Sequence, residues 1–158
     1  MRLSTKAQYA VRALVDLSLH SAGRPVALKE ISRREDIPLN YLEQLFFRLK
    51  KGAIVTSVRG PGGGYILARS GSTIRVGEII ATVEEPLNPV ACLDGAQSSC
   101  ARVSQCVTHN VWKGLGERIR GFLDSINLED LTQEAQAKSK AKERFETIGT
   151  QINAEKAD

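Results

Sequence analysis

The stretch "LKEISRREDIPLNYLEQLFFRLKKG", residues 28–52, contains two helix-forming segments separated by a short break. Leu28, Ile31 and the aliphatic stem of Arg34 fall on one face of the first segment. The break follows at residues 36–40, because Pro38 disfavours helix at the residue before it. A short helix, a short turn and a second helix form a helix-turn-helix, so this motif is predicted to be the centre of the fold.

The second helix is predicted to run from Tyr41 to about Lys51, with Asn40 as its cap and Glu43 in the capping-box position. Its apolar face consists of Leu42, Leu45, Phe46 and Leu49. The rest of its surface carries Tyr41, Glu43, Gln44, Phe47, Arg48 and Lys51. Polar, amide-bearing and basic side chains suit contacts with base edges and phosphates, and glutamine can form paired hydrogen bonds with adenine.

The next stretch, "AIVTSVRGPGGGYILAR" at residues 53–69, has two β-prone flanks around a glycine-rich centre. This pattern predicts a β-hairpin, and a hairpin directly after a recognition helix is the wing of a winged helix. Its glycines would let the backbone approach a sugar-phosphate chain closely, and Arg59 could enter a minor groove. A simple tight turn is the alternative interpretation. A P-loop is excluded, because no Lys-Ser or Lys-Thr follows the glycines.

Charge is distributed unevenly along the 158 residues, whose net charge is +4. Residues 1–69 contain 12 Lys and Arg against 5 Asp and Glu, whereas residues 70–158 contain 10 against 13. The basic first half suggests a polyanionic partner such as nucleic acid, although an ordinary basic surface would have the same composition.

The composition also limits the class of protein. No run of about eighteen apolar residues is present, which argues against a membrane span. Arg12 and Asp16 interrupt the first apolar stretch, so it does not have the pattern of a signal peptide. We therefore expect a cytoplasmic chain with reduced thiols and no membrane partner. No flavin or nucleotide fingerprint, Ser-His-Asp set or paired-carboxylate site stands out, so an enzyme is not expected.

Helices are predicted before and after these two motifs. The first follows Ser4 and ends near residue 21, and another follows a strand stub within residues 74–85 and buries Ile79, Ile80 and Val83. A short helix over 127–135 is capped by Asn127. The tail, residues 136–158, is predicted to be frayed helix or disordered.

A longer helix is predicted from about Ser104, with a narrow apolar stripe along it. The stripe consists of Val107, Val111, Leu115, Ile119, Phe122 and Ile126, and Trp112 widens it. Such a stripe is typical of a dimer seam, for which the candidates are Val111, Leu115, Ile119 and Phe122. A core helix of the same domain would have the same pattern.

All three cysteines lie in "CLDGAQSSCARVSQCVTHNVW", residues 92–112, together with His109. An odd number of thiols in a reducing compartment disfavours a disulfide framework. The short cysteine pair of structural zinc sites is missing, although Cys106 and His109 are spaced closely enough to bind one metal. Both are expected at a helix start and pointing the same way. The chemistry leaves an iron–sulfur site, a zinc site or packed cysteines open.

Three motifs occur together and in order: "YLEQLF" at residues 41–46, "RGPGGGY" at 59–65 and "CVTHNVW" at 106–112. With them, residues 1–130 resemble the IscR family of iron–sulfur cluster regulators, which are winged-helix bacterial transcription factors. The expected fold is mainly α with a small β-hairpin wing. Its predicted parts are a winged helix-turn-helix at 1–85, a cluster-binding loop at 86–106, a dimerisation helix and short following helix at 107–135, and the tail.

The resemblance implies a homodimer that binds pseudo-palindromic double-stranded DNA. It also implies a [2Fe–2S] cluster, which the cluster-assembly machinery supplies. Occupancy of this cluster would alter the DNA preference of the regulator, and the regulator would repress cluster-assembly genes. The implied ligands are Cys92, Cys100, Cys106 and His109. The predicted DNA contacts are Asn40, Tyr41, Glu43, Gln44, Arg48, Arg59, Gly60, Gly62 and Gly63. Alternatives are a [4Fe–4S] regulator responding to nitric oxide or iron, a small iron–sulfur electron carrier and a zinc-bound dimeric scaffold.

Overall fold

The computed structural model describes residues 3–83, 87–94 and 100–155, with side chains described as far as residue 144. The α-helices are α1 Thr5–Ser21, α2 Leu28–Glu35, α3 Leu39–Lys51, α4 Val76–Val83, α5 His109–Ser125 and α6 Leu128–Glu155. Two strands, β1 Val55–Val58 and β2 Gly64–Leu67, lie between α3 and α4. Short 3₁₀ turns occur at Gly71–Thr73, Ala91–Leu93 and Val103–Gln105. The mainly α fold with a β-hairpin is confirmed.

Helix α1 begins where the Ser4 hydroxyl accepts a hydrogen bond from the Ala7 amide, at 3.3 Å. Such a side-chain cap satisfies one of the unpaired amides of the first turn. The helix ends at Ala22, whose φ of 39° is left-handed. Its buried face contains Ala7, Ala10, Ala13, Leu14, Asp16 and Leu17. The helix predicted from Ser4 to about residue 21 is therefore confirmed.

A hydrogen-bonded turn separates the two helices of the helix-turn-helix. Asp36 ends α2 in a left-handed conformation, with φ 52°. The Ser32 hydroxyl donates to the Ile37 carbonyl at 2.6 Å, and the Ile37 side chain is buried in the core. These contacts fix the angle at which α3 leaves the turn.

Helix α3 begins at Leu39, two residues earlier than predicted. The Pro38 carbonyl accepts from the amides of Tyr41 and Leu42, at 3.0 and 3.1 Å. Helical bonding therefore already includes Asn40, and the prediction that Asn40 caps this helix is wrong. The ring of Pro38 fixes φ at −55°, which suits entry into a helix. The four predicted apolar residues of α3 are buried, as expected.

The wing is an antiparallel hairpin in which Val55 pairs with Leu67 and Val58 with Gly64. Val26 and Tyr65 exchange two backbone hydrogen bonds of 2.9 Å, which tie the hairpin to the segment before α2. The ring of Tyr65 also packs edge-on against Phe46, with centroids 5.0 Å apart. The hairpin is consequently held against the helix-turn-helix from two sides.

A second backbone junction joins the C-terminal helices to this domain. The Val76 amide donates to Ile126 at 3.0 Å, and the Leu128 amide donates to Ile74 at 2.9 Å. The predicted strand stub is present here as an isolated antiparallel bridge. Leu128 is fully buried in the same core cluster as α1, α2 and α3. The start of α6 is therefore part of the winged-helix core.

Helix α6 starts with a reciprocal cap, as predicted for Asn127. Its Oδ1 accepts from the Asp130 amide at 2.9 Å, and the Asp130 carboxylate accepts from the Asn127 amide at 3.0 Å. The helix continues to Glu155, so the expected end near residue 135 is wrong. Its alanine, lysine and glutamate residues are good helix formers and extend the turn that the core has already nucleated. The last residues of the predicted tail, 156–158, lie outside the described residues.

Helix α5 begins at His109, later than the start expected near Ser104. A 3₁₀ turn occupies Val103–Gln105, and Cys106 follows it in an extended conformation with ψ 107°. Val107 consequently precedes the helix and is 89% exposed. The apolar stripe on the helix itself starts at Val111.

Candidate nucleic-acid interface and ligand loop

The outward face of α3 forms a shallow concave surface opposite the buried residues of the helix. Here it is called the recognition face and consists of Asn40, Glu43, Gln44, Phe47, Arg48 and Lys51. All six side chains are exposed. Spacings of three and four residues place them along one side of the helix. The face combines an acid, two amides, two cations and one aromatic ring, which is a suitable set for reading base edges.

Two of the predicted DNA contacts also make contacts inside the protein. Tyr41 is half-buried, and its ring packs edge-on against Tyr9 with centroids 5.7 Å apart. Arg48 donates to the Val83 carbonyl at the end of α4, at 3.0 Å. The guanidinium therefore holds α3 against α4, although the residue as a whole is exposed.

The sequence-based DNA contacts did not include two residues of the recognition face, Phe47 and Lys51. The ammonium of Lys51 lies 4.6 Å from the centroid of the Phe47 ring, a cation–π geometry. Glu43, Phe47 and Lys51 are spaced four residues apart, and this spacing could have indicated that Phe47 and Lys51 share a helix face with the predicted contact Glu43. A hydrogen bond of 2.7 Å from Lys50 to the Ser57 hydroxyl further joins α3 to the wing.

The tip of the wing exposes Arg59 and requires its glycines for backbone reasons. Gly60 and Gly62 have φ values of 101° and 72°, which other residues rarely adopt. A Cβ atom on Gly63 would lie 2.4 Å from the Val58 carbonyl oxygen. The Gly63 amide donates to Gly60 at 2.9 Å and closes the turn. The glycines thus shape the tip that presents Arg59.

The ligand loop, residues 92–109, contains the four predicted metal ligands and ends at the first residue of α5; Cys100 is exposed within it. The Cys92 sulfur lies 3.9 Å from Nδ1 of His109, the first residue of α5. Cys106 precedes the helix and contacts the Thr108 hydroxyl at 3.3 Å. The expectation that Cys106 and His109 lie together at the start of the helix is therefore wrong, because Cys106 precedes α5, and the thiol beside the imidazole is Cys92.

The donor set fits an iron–sulfur or zinc centre, since soft thiolates favour both kinds of site and imidazole also binds iron and zinc. Two ligands on one tetrahedral metal have sulfur and nitrogen about 3.5 Å apart, close to the spacing of Cys92 and His109. Hydrogen bonds from the Thr108 side chain and backbone lower the pKa of Cys106, which favours the thiolate that binds metal. Within the described ranges no three such donors converge, and residues 95–99 of this loop lie outside them.

Helix α5 presents apolar side chains to solvent. Val111, Leu115 and Phe122 are exposed by 60%, 41% and 64%, whereas Ile119 is half-buried. Ile119 and Phe122 line an apolar groove with Leu3, Leu87, Arg118 and Leu123. Contiguous apolar surface on a helix is typical of a protein–protein interface.

In the described part of the chain, no helix is both long and apolar enough to cross a membrane.

A helix-turn-helix, an attached wing and an exposed polar face on the second helix define a winged-helix DNA-binding protein. The chain belongs to the Rrf2 family, described as iron-dependent transcriptional regulators, whose family model matches residues 3–134. It is therefore a DNA-binding transcription regulator and not an enzyme.

Similar proteins agree with this membership. The HTH-type transcriptional regulator IscR of Photorhabdus laumondii is 49% identical over 131 residues, which cover 83% of this chain and 79% of that protein. The protein of the same name from Escherichia coli O1:K1 is 47% identical, with 83% and 80% covered.

Among solved structures, IscR of T. potens superposes with a TM-score of 0.70 at 39% identity, covering 85% of this chain and 88% of that one. CymR, the global cysteine regulator of B. subtilis, has a TM-score of 0.70 at 30% identity, with 85% and 98% covered. Both confirm the winged-helix fold.

Proposed function

We propose that this regulator senses iron–sulfur supply through a [2Fe–2S] cluster held by Cys92, Cys100, Cys106 and His109. The observation that carries the proposal is the 3.9 Å separation between the Cys92 sulfur and Nδ1 of His109. Membership in a family of iron-dependent regulators supports it. When bound, such a cluster supplies reversible redox chemistry, and an imidazole ligand in place of a thiolate raises its reduction potential.

The position of His109 links the proposed cluster site to the DNA-binding domain. His109 is the first residue of α5, and the end of α5 is bonded through Ile126 to Val76 at the start of α4. The end of α4 accepts the hydrogen bond from Arg48 on the recognition face. Ligation of His109 would restrain α5 and thereby bias how α3 is presented to DNA.

The proposed DNA contacts lie on the recognition face and the wing. They are Asn40, Tyr41, Glu43, Gln44, Arg48, Arg59, Gly60, Gly62 and Gly63. Gln44 would bond adenine, and Glu43 would accept from cytosine and repel misplaced phosphates. Arg59 would enter the minor groove beside the wing.

The proposed assembly is a cytoplasmic homodimer on a pseudo-palindromic duplex, joined through Val111, Leu115, Ile119 and Phe122. The exposure of three of these apolar side chains supports the interface. In this arrangement residues 1–85 bind DNA, 86–106 hold the cluster, and 107–135 dimerise. The cluster-assembly machinery would load the cluster, and the genes repressed would be those for cluster assembly.

The test is anaerobic purification of the full chain, followed by iron and sulfide assays and by duplex binding with and without cluster. We expect about two irons and two sulfides per chain, visible absorbance and a different duplex preference in the two forms. Cys92→Ala should lose the absorbance while keeping its helical circular dichroism. Ser104→Ala, an exposed change in the same loop, should retain both.

Three results would count against the proposal. A colourless chain containing stoichiometric zinc would assign the site to a structural metal. Four irons and four sulfides per chain would assign the larger cluster. Identical duplex preference with and without cluster would remove the sensing role and leave the DNA-binding function intact.

A further inference from the structure

Phe47 is the one large apolar side chain on the recognition face. The residue is 58% exposed, while its neighbour Phe46 is fully buried in the core. The buried side of α3 is already filled by Leu42, Leu45, Phe46 and Leu49. The fold therefore gains little from an aromatic residue at position 47, and burial does not explain its presence.

The position of the ring is restrained by its neighbour on the next turn. The Lys51 ammonium lies 4.6 Å from the ring centroid and covers one face. Cation–π attraction of this kind opposes rotation of the ring away from α3. Phe47 also lines the concave surface that it shares with Glu43 and Gln44.

The bases of a duplex offer one apolar group to a side chain in the major groove, the 5-methyl of thymine. Amide and carboxylate groups read hydrogen-bonding edges, whereas alanine, threonine and phenylalanine read this methyl. Phe47 lies one helical turn from both Glu43 and Gln44, so it would reach a base near those they contact. The Lys51 cation beside it would lie toward the phosphates.

We propose that Phe47 is a specificity-determining residue that reads the 5-methyl group of a thymine in each half-site. This inference rests on the proposed role of α3 as the recognition helix. Burying one methyl group against the ring contributes about fourfold to affinity. A dimer that makes the contact in both half-sites gains about fifteenfold.

The experiment starts from a duplex selected out of a random-sequence pool by the purified full-length chain. Each symmetric pair of thymines is then replaced by deoxyuridine, which removes only the methyl groups. For the one pair that Phe47 contacts, replacing both thymines should lower the wild-type affinity about fifteenfold. Phe47→Ala should bind the thymine and uracil duplexes equally, because the alanine side chain ends at Cβ and stops short of the methyl group that the phenylalanine ring would reach. Its melting temperature should be unchanged. Leu39→Ala, which trims an exposed apolar residue of α3 outside the recognition face, should discriminate like wild type.

The outcomes separate this inference from the proposed recognition helix. If no thymine pair discriminates, or if Phe47→Ala discriminates as wild type does, the methyl contact is overturned. Gln44→Ala serves as the second arm. If Gln44→Ala weakens binding while uracil has no effect, α3 still reads DNA and only the role of Phe47 fails. If Gln44→Ala binds like wild type and uracil has no effect, both assignments fail.

Discussion

At the scale of single residues, the most consequential buried group is Asp16. Its carboxylate is 2% exposed and accepts three hydrogen bonds from the Arg34 guanidinium, at 2.8 to 3.2 Å. The pairing with Asp16 raises the pKa of Arg34. His20, in the last turn of α1, lies 3.3 Å from the same carboxylate. These charged contacts hold α1 against α2, the first helix of the helix-turn-helix.

Asp16→Ala should destabilise the chain by about 3 kcal/mol, because it leaves the Arg34 cation partly buried without its partner. Urea denaturation measures the difference, and Arg34→Ala together with the double variant completes a thermodynamic cycle. The control is Glu134→Ala, which removes the exposed ion pair with Lys138 and should leave the urea midpoint unchanged. An Asp16→Ala variant as stable as wild type would show that this pair does not hold α1 and α2 together.

At the scale of secondary structure elements, α5 and the recognition helix are connected through α4. The Val76 amide at the start of α4 donates to the Ile126 carbonyl at the end of α5, and the last carbonyl of α4 accepts from Arg48. Thr82 on α4 also packs at the end of α3, where a Cβ on Gly52 would lie 2.6 Å from its methyl group. Displacement of α5 would therefore move α4 and change the contacts that hold α3 in position.

Phe122→Glu should convert the proposed dimer into a monomer. It places a charge at the most exposed apolar position of α5, where a partner helix would have to desolvate it. Sedimentation velocity of both proteins at equal concentration measures the change. Lys113→Glu, an exposed change on the same helix, is expected to leave the sedimentation coefficient unaltered. Equal coefficients for Phe122→Glu and wild type would exclude α5 as the dimer seam.

At the scale of the whole molecule, the charge asymmetry separates two kinds of interaction. The basic first half carries the helix-turn-helix and wing, whereas the mildly acidic second half carries the apolar stripe of α5. Duplex binding should be dominated by phosphate contacts, and self-association by burial of apolar surface. These two interactions respond to salt in different ways.

Raising the salt concentration should weaken duplex binding steeply while leaving self-association unchanged. A plot of the logarithm of the duplex affinity against the logarithm of the salt concentration should be a straight line. Its negative slope should steepen by about 0.9 for each phosphate that the protein neutralises. Fluorescence anisotropy with labelled duplex and sedimentation of the free protein, over the same salt series, provide the two measurements. If both affinities fell in parallel, the dimer would depend on ion pairs rather than on the α5 stripe.

Features that depend on residues close together in the chain can be predicted from the amino-acid sequence. Pro38 located the turn before α3, the glycines of residues 60–64 located the wing, and Ser4 and Asn127 marked two helix starts. Periodic apolar residues identified the buried faces of α3 and α4. Short-range sterics and capping bonds decide these features, so they can be inferred from local spacing.

Which distant groups meet depends on the packing of the whole fold. Cys92 lies beside His109, Arg34 pairs with Asp16, and Arg48 reaches Val83. Local spacing instead favoured Cys106 as the neighbour of His109 and placed the start of α5 too early. Such contacts depend on how whole helices pack and on where the chain bends between them. Packing sums many weak contacts across the core, and no short stretch of sequence contains that sum.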